Sequence, residues 1–409
     1  MCPKSPEAIG KPLAAPAGAE SLFEAFRHEA NNMHILMVNL PYAGHTNPTL
    51  PLTRELIRRG HKIAYVNTGK FRQRIEETGA EFVPYRDFPD SLSEEAVKRK
   101  SFRAAFDTAL SLPDTYDLLI YEMFFYPGIE IARRKGIPCV RQFSQPAWSE
   151  ETWKKAPAYF KASAKLIDWQ VLRGRDARAM GFASSSLREG ILRSRPDLNI
   201  VYVPEQFQSC RDSFDESYLF MVPAPASPAS DSAIPYEKMR RPVVYISLGS
   251  IISNRGFCRE CLRAFGDKPL SVILNTGKVS PESLGPIPGN IYAYSFVPQI
   301  EVLQHTDVFL THCGMNSINE ALYFGVPMVA MPFLNDQITN AQRLTELGLG
   351  RRVRSFPSRG KELYQAVCAV CSDQQIRENA SRFSRMVRQQ TDWDSVLSRI
   401  EALGNGRAL

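Results

Sequence analysis

Residues 294–349 read YSFVPQIEVLQHTDVFLTHCGMNSINEALYFGVPMVAMPFLNDQITNAQRLTELGL. The apolar run VFLT at 308–311 predicts a strand. A polar turn containing Gly314 follows, and then a helix that opens near Ser317. A second apolar run, PMVAM at 327–331, predicts another strand, with a further helix from about Gln337. Strand, glycine turn, helix and strand in that order make a βαβ unit. The helix N-terminus of such a unit lies at the carboxyl edge of a parallel sheet, where unpaired N–H groups and the positive end of the helix dipole attract an anion. His312, Gly314, Asn316 and Ser317 all fall at that edge, a set of residues suited to phosphate.

The same alternation extends in both directions. Before the quoted stretch, a strand near Val243 turns at Ser247-Leu248-Gly249-Ser250, where small residues let a backbone approach a ligand. A helix at 257–265 and strands at 271–275 and 291–299 follow, and three helical segments (361–371, 374–390 and 393–403) close the chain. Nearer the N-terminus, HILMVNL (34–40), HKIAYVN (61–67) and EFVPY (81–85) read as strands separated by helices at 48–60 and 71–79. Strands alternating with helices at this spacing predict an α/β protein whose parallel sheets are covered on both faces. The loop after the first strand, residues 41–48, carries His45 at the carboxyl edge, where open α/β sheets place their ligands. By itself this histidine reads either as a catalytic base or as a plain neighbour of the next helix. A strand at 116–121 leads into Glu122, which reads either as an acid orienting a histidine or as a helix-capping or solvated carboxylate.

A chain of 409 residues has room for two domains. A Pro-, Ala- and Ser-rich stretch separates them. The expected organisation is an N-terminal extension at 1–32, a first domain at 33–220, a linker at 221–240, a second domain at 241–390 and a closing helix within 391–409. The extension mixes Pro, Ala and Gly in a way that builds no core, and it is expected to be flexible. The net charge of +7 is mild and spread through the chain, and no aromatic-basic motif points to nucleic acid. No run approaches the roughly 18–20 apolar residues of a membrane span, and no secretory h-region opens the chain, so the expected location is the cytoplasm. Two CxxC pairs, Cys258/Cys261 and Cys368/Cys371, invite a zinc reading, but both lie in helical patterns where i, i+3 thiols face a core. Aromatic residues recur through the less regular stretches 86–117 and 143–180: Phe102, Phe106, Trp148, Trp153, Tyr159, Phe160 and Trp169. Such residues line a pocket for a flat or greasy molecule or fill a helical layer.

The central stretch resembles the donor-binding signature of UDP-dependent glycosyltransferases of the GT-B fold, a family that includes bacterial macrolide and flavonoid glucosyltransferases and plant secondary-product enzymes. The matching residues are Val297-Pro298-Gln299, residues 311–317, Glu320, Gly325-Val326-Pro327, Asp336-Gln337 and Asn340-Ala341. The resemblance implies two Rossmann-like domains facing a central cleft, with the last helix crossing back to the first domain. It implies inverting transfer of a hexose from UDP-glucose to a hydroxyl of a hydrophobic natural product, with no cofactor and no metal. His45 then becomes the general base, and Glu122 occupies the place of the family's orienting aspartate. Gly249 and Ser250 would face the donor diphosphate, and so would His312, Gly314, Asn316 and Ser317. Phe296 stands where many members stack a tryptophan on uracil. Val297 and Gln299 would meet the nucleoside, Glu320 the ribose, and Asp336 and Gln337 the sugar hydroxyls. Phe124, Phe125 and Trp148 are the candidate acceptor contacts. Asp392-Trp393-Asp394 superficially matches the metal motif of another glycosyltransferase fold, but its place at a helix start predicts a cap. A monomer or weak homodimer is expected. The other readings are a lipid or cell-wall glycosyltransferase of the same fold and a non-catalytic protein that binds nucleotide sugar.

Overall fold

The computed structural model describes residues 32–113, 115–171, 174–181, 186–225, 234–249, 254–333, 336–354, 360–390 and 392–406. Seven strands form a first sheet: β1 (His34–Val38), β2 (Lys62–Asn67), β3 (Glu81–Pro84), β4 (Leu118–Glu122), β5 (Cys139–Phe143), β6 (Leu198–Val201) and β7 (Tyr218–Phe220). Six form a second: β8 (Val243–Ser247), β9 (Ser271–Asn275), β10 (Ile291–Tyr294), β11 (Val308–Thr311), β12 (Met328–Ala330) and β13 (Gly350–Arg352). Every strand pair is parallel, in the orders β3-β2-β1-β4-β5-β6-β7 and β10-β9-β8-β11-β12-β13.

Continuous apolar runs make these strands because both faces of each sheet are covered. In β1, Leu36 and Val38 enter one apolar cluster while Ile35 and Met37 enter another on the opposite face. The first of these clusters continues through both halves of the molecule, from Leu36 and Tyr121 to Tyr245, Phe309 and Ile318.

Each sheet has one place where the chain leaves adjacent strands in opposite directions, between β1 and β4 in the first and between β8 and β11 in the second. Loops diverge there and leave a crevice at the carboxyl edge. Four helices matter for what lies in it: α1 (Ala43–Thr46), α2 (Met315–Phe324), α3 (Asp336–Glu346) and α4 (Trp393–Gly404). α2 starts two residues earlier than the sequence pattern suggested, because Gly314 takes the extended N-cap conformation and places Asn316 and Ser317 inside the first turn. The strand expected over 291–299 ends at Tyr294, and a short helix, Gln299–Gln304, begins after Pro298.

Polar bonds tie the halves together. Asn319 of α2 donates to the Tyr202 carbonyl at 2.7 Å, and Arg343 of α3 donates to the carbonyls of Gln206 and Phe207 at 2.9 and 3.1 Å. α4 lies against the first sheet. Its Val396, Leu397 and Ile400 pack with Met33, Ile35 and Leu56, and Arg59 donates to Glu401 and pairs with Asp394. Asp392 caps this helix, accepting from Asp394 N at 2.9 Å. The extension at 1–31 and residues 226–233 of the expected linker lie outside the described residues. No described helix is long and apolar enough to cross a membrane.

Leu397→Ala should cost about 2–5 kcal/mol of stability in urea denaturation, since it opens a cavity under α4. Asp394→Ala should cost less than about 1 kcal/mol, because that carboxylate is 82% exposed.

Candidate active site

The crevice of the first sheet holds His45. The chain leaves β1 at Asn39, and the one-turn helix α1 forms as the N–H groups of His45 and Thr46 bond the Tyr42 carbonyl at 3.0 and 2.9 Å. Thr46 anchors the turn to the Leu40 carbonyl. His45 is thereby carried over the end of β4, where Nδ1 meets Glu122 Oε2 at 3.0 Å. Glu122 is 1% exposed and His45 23%. The carboxylate also accepts from the N–H groups of Phe124 and Phe125, both at 3.1 Å. The extra methylene of glutamate relative to aspartate therefore brings the carboxylate both to the ring and to two backbone donors. An acid on Nδ1 holds the proton there and leaves Nε2 free to accept one. Burial pulls the His45 proton affinity down, but the charge and hydrogen bond of Glu122, with the charge of Asp336, outweigh it and leave the pKa above the ordinary histidine value.

Aromatic rings flank this pair. Phe124 lies 5.1 Å from the His45 ring, and Tyr42 lies 5.4 Å away on another side. Trp148 meets Phe124 edge-on at 5.8 Å and continues into Trp153 and Phe160. Phe125 does not belong to this wall. Its side chain is fully buried against Phe102 within the core, because consecutive residues of the turn after β4 point opposite ways. Phe102 and Phe106 are core residues as well.

The crevice of the second sheet holds the donors expected for phosphate. Gly249, after β8, has φ +73, and a Cβ there would lie 2.6 Å from His312 Cε1. A Cβ on Gly314 would lie 2.6 Å from His312 Nε2, so both glycines make room for the ring. His312 Nδ1 is buried without a hydrogen-bond partner among the described residues, and burial lowers the ring's pKa to about 4. Gly314 offers no side-chain cap, so the first-turn N–H groups of α2 have no intrahelical partner. Cys313, between these groups, is held at φ +69 while Asn340 donates to its carbonyl at 3.1 Å.

Deeper in, Gln299 donates to Ser317 Oγ at 3.2 Å and to Glu320, and Tyr245 donates to Gln299 Oε1 at 3.0 Å. Burial raises the Glu320 pKa to about 7. Asp336 opens α3 and accepts from Asn340 at 3.2 Å, and burial raises its pKa as well. Its charge and that of His45 each favour the other's ionised form. Gln337 turns inward, its Oε1 accepting from Phe333 N at 3.0 Å. Val297 is a core side chain, leaving only its backbone for a ligand. Phe296 projects with 80% of its surface exposed. Ser250 lies outside the described residues. The thiols of Cys258 and Cys261 are buried in a helix whose apolar face they share, and burial pushes both pKa values up.

Known proteins share this arrangement. Residues 222–392 match the family model for UDP-glucoronosyl and UDP-glucosyl transferase. The NDP-glycosyltransferase YjiC of Bacillus subtilis is 30% identical over 90% of this chain and 97% of its own length. The chain belongs to the UDP-glycosyltransferase family. The oleandomycin glycosyltransferase of Streptomyces antibioticus is 29% identical over 90% of each chain. Among solved structures, the calicheamicin glycosyltransferase CalG4 superposes with a TM-score of 0.76 at 29% identity, covering 92% of this chain and 99% of its own. The glycosyltransferase of kitacinnamycin gives 0.79 at 28%, covering 91% and 99%. The fold is therefore GT-B, and the protein is a glycosyltransferase.

Sequence reasoning had not given this glycosyltransferase roles for Tyr42, Tyr245 and Asn340. Tyr245 reads as one more apolar strand residue, and only the register of β8 beside β11 brings its hydroxyl to Gln299. Asn340 was visible as a family match, but its bonds to Cys313 and Asp336 needed the fold.

The raised pKa of Glu320 has a consequence for stability. Relative to an ordinary carboxyl, its contribution is fully present below about pH 4.5 and is lost as pH rises through about 7. Glu320→Gln should remove roughly 2–4 kcal/mol of that pH dependence across this window, read by chemical denaturation at pH 4.5 and pH 7.5.

Proposed function

We propose that this glycosyltransferase moves glucose from UDP-glucose to a hydroxyl of a hydrophobic, aromatic small molecule, with inversion and without a metal. The observation that carries the reading is the His45–Glu122 pair, Nδ1 to Oε2 at 3.0 Å, at the carboxyl edge of the first sheet. The acceptor oxygen attacks the anomeric carbon as its proton passes to His45 Nε2. The bond from that carbon to the β-phosphate oxygen breaks, and its electron pair leaves with UDP. Glu122 stabilises the imidazolium, a step in which a placed base contributes roughly 10²–10⁴-fold.

On the other side, the first-turn N–H groups of α2 and the His312 ring meet the charge developing on the β-phosphate. Base and leaving group are held by opposite domains, which favours attack from the face away from UDP. Glu320 and Gln299 suit the ribose, Asp336 the sugar hydroxyls, and exposed Phe296 the uracil ring. The Phe124 and Trp148 wall beside His45 suits a flat acceptor. Relatives named for oleandomycin and calicheamicin support a small-molecule acceptor.

Mass spectrometry of reactions with UDP-glucose and a panel of phenols, flavonoids and macrolides tests the reading. A hexose adduct should form equally with and without EDTA. It should fall by roughly 10²–10⁴-fold in His45→Ala, while that variant still binds UDP in calorimetry. Undiminished turnover in His45→Ala would sink the assignment of the base.

The pH profile gives a second check. Only neutral His45 accepts a proton, so kcat/KM should fall on the acid side with an apparent pKa above the ordinary histidine value of about 6.5. Glu122→Gln removes the charge that raises it, so this limb should move to lower pH.

A further inference from the structure

An ionised carboxylate has about four acceptor positions, and the structure shows three of those on Glu122 in use. Oε2 takes His45 Nδ1 and Phe124 N, and Oε1 takes Phe125 N alone. On the adjoining strand, Gln142 pairs in register with Glu122. In-register residues of neighbouring parallel strands leave the sheet on the same face, about 4.8 Å apart. Gln142 is buried, and its Oε1 accepts the hydroxyl of Tyr202. Its Nε2 has no hydrogen-bond partner among the described residues. One strand therefore carries an unused buried donor, and its in-register neighbour carries an unused acceptor. Leaving a buried donor unpaired is unfavourable.

We propose that Gln142 is a positioning residue for proton transfer at His45. During turnover its Nε2–H donates to Glu122 Oε1, completing the hydrogen bonding of the carboxylate and holding it in place against Nδ1 of the ring. The terminal torsions of both side chains are soft, and rotation about them closes the pair as His45 becomes positively charged. Tyr202 fixes the other end of the amide, and the Tyr202 carbonyl is itself held by Asn319 of α2. The second domain thus sets the orientation of a side chain that acts on the acid of the first. The proposal rests on His45 being the base, and its test separates the two ideas.

The test is a pH titration of the histidine ring signals by NMR on selectively labelled full-length protein, with the His45 signal identified by its loss in His45→Gln. Gln142→Met with Tyr202→Phe replaces both polar partners by apolar groups of similar shape and leaves neither orphaned. Without an amide donor that closes onto the carboxylate as the ring is charged, the imidazolium state loses support, so the His45 pKa should fall by roughly half a unit. Glucose transfer to the best phenol of the panel should fall about threefold to tenfold in kcat, with KM for UDP-glucose unchanged. In a Glu122→Gln background the same two changes should move neither reading further, because the amide acts through the carboxylate. Tyr202→Phe alone keeps the Gln142 donor but loosens the amide, and should shift the titration by less than the apolar pair does.

An unshifted His45 titration in the apolar pair would overturn the proposal. So would an equal shift in the Glu122→Gln background, or a full shift from Tyr202→Phe alone. If the pair does not fold, Gln142→Met read in the same way decides. Turnover that survives His45→Ala would remove the base assignment while leaving the coupling of Gln142 to the ring readable by NMR.

Discussion

A carboxyl group that is 1% exposed sits at the end of β4, and three hydrogen-bond donors of the first domain converge on it. Removing such a group from water is unfavourable unless hydrogen bonds replace the solvent. The three donors come from two segments: His45 from the loop after β1, and Phe124 and Phe125 from the turn after β4. Those segments meet only because β1 and β4 are neighbours whose following connections diverge. Seventy-six residues of chain intervene between the imidazole and its acid, and a sheet order that separated β1 from β4 would leave Glu122 buried without its ring.

The second sheet solves the opposite electrostatic problem with the same geometry. At its own point of divergence it collects unpaired donors instead of a buried anion, in the first turn of α2 and in a histidine kept neutral by burial. Room for them comes from Gly249 and Gly314, where any side chain would strike the His312 ring. One domain therefore presents an imidazole held by a buried carboxylate, and the other presents unpaired donors around a neutral imidazole. Their relative placement rests on an apolar cluster that runs through both, on the bonds from Asn319 and Arg343 to the first domain, and on α4 returning to pack beside β1.

The misreadings have a common physical origin. Phe125 and Val297 stood among polar or aromatic candidates in sequence and turned out to be core side chains. In turns the side-chain direction changes at every residue, and no periodicity records it. Asn316 and Ser317 looked like a helix opening because their side chains favour caps, yet Gly314 had already turned the chain and left them inside the first turn. Gln337, expected at the sugar hydroxyls, is buried, and its Oε1 accepts from the Phe333 N–H. Tyr245 gave no polar signal, since it sits in a strand that reads as an ordinary buried segment.

Two parallel sheets, their alternation with helices, the glycine turns and a helix opening just after Gly314 were all determined by sequence. These are local consequences of apolar period, of backbone freedom at glycine and of helix ends with unpaired donors. The pairing of His45 with Glu122, and the burial that lowers the His312 pKa and raises that of Glu320, were decided only by tertiary structure. Each depends on distance and on exclusion of water between residues far apart in the chain, quantities that exist only once β1 lies beside β4, β8 lies beside β11, and the two carboxyl edges face each other.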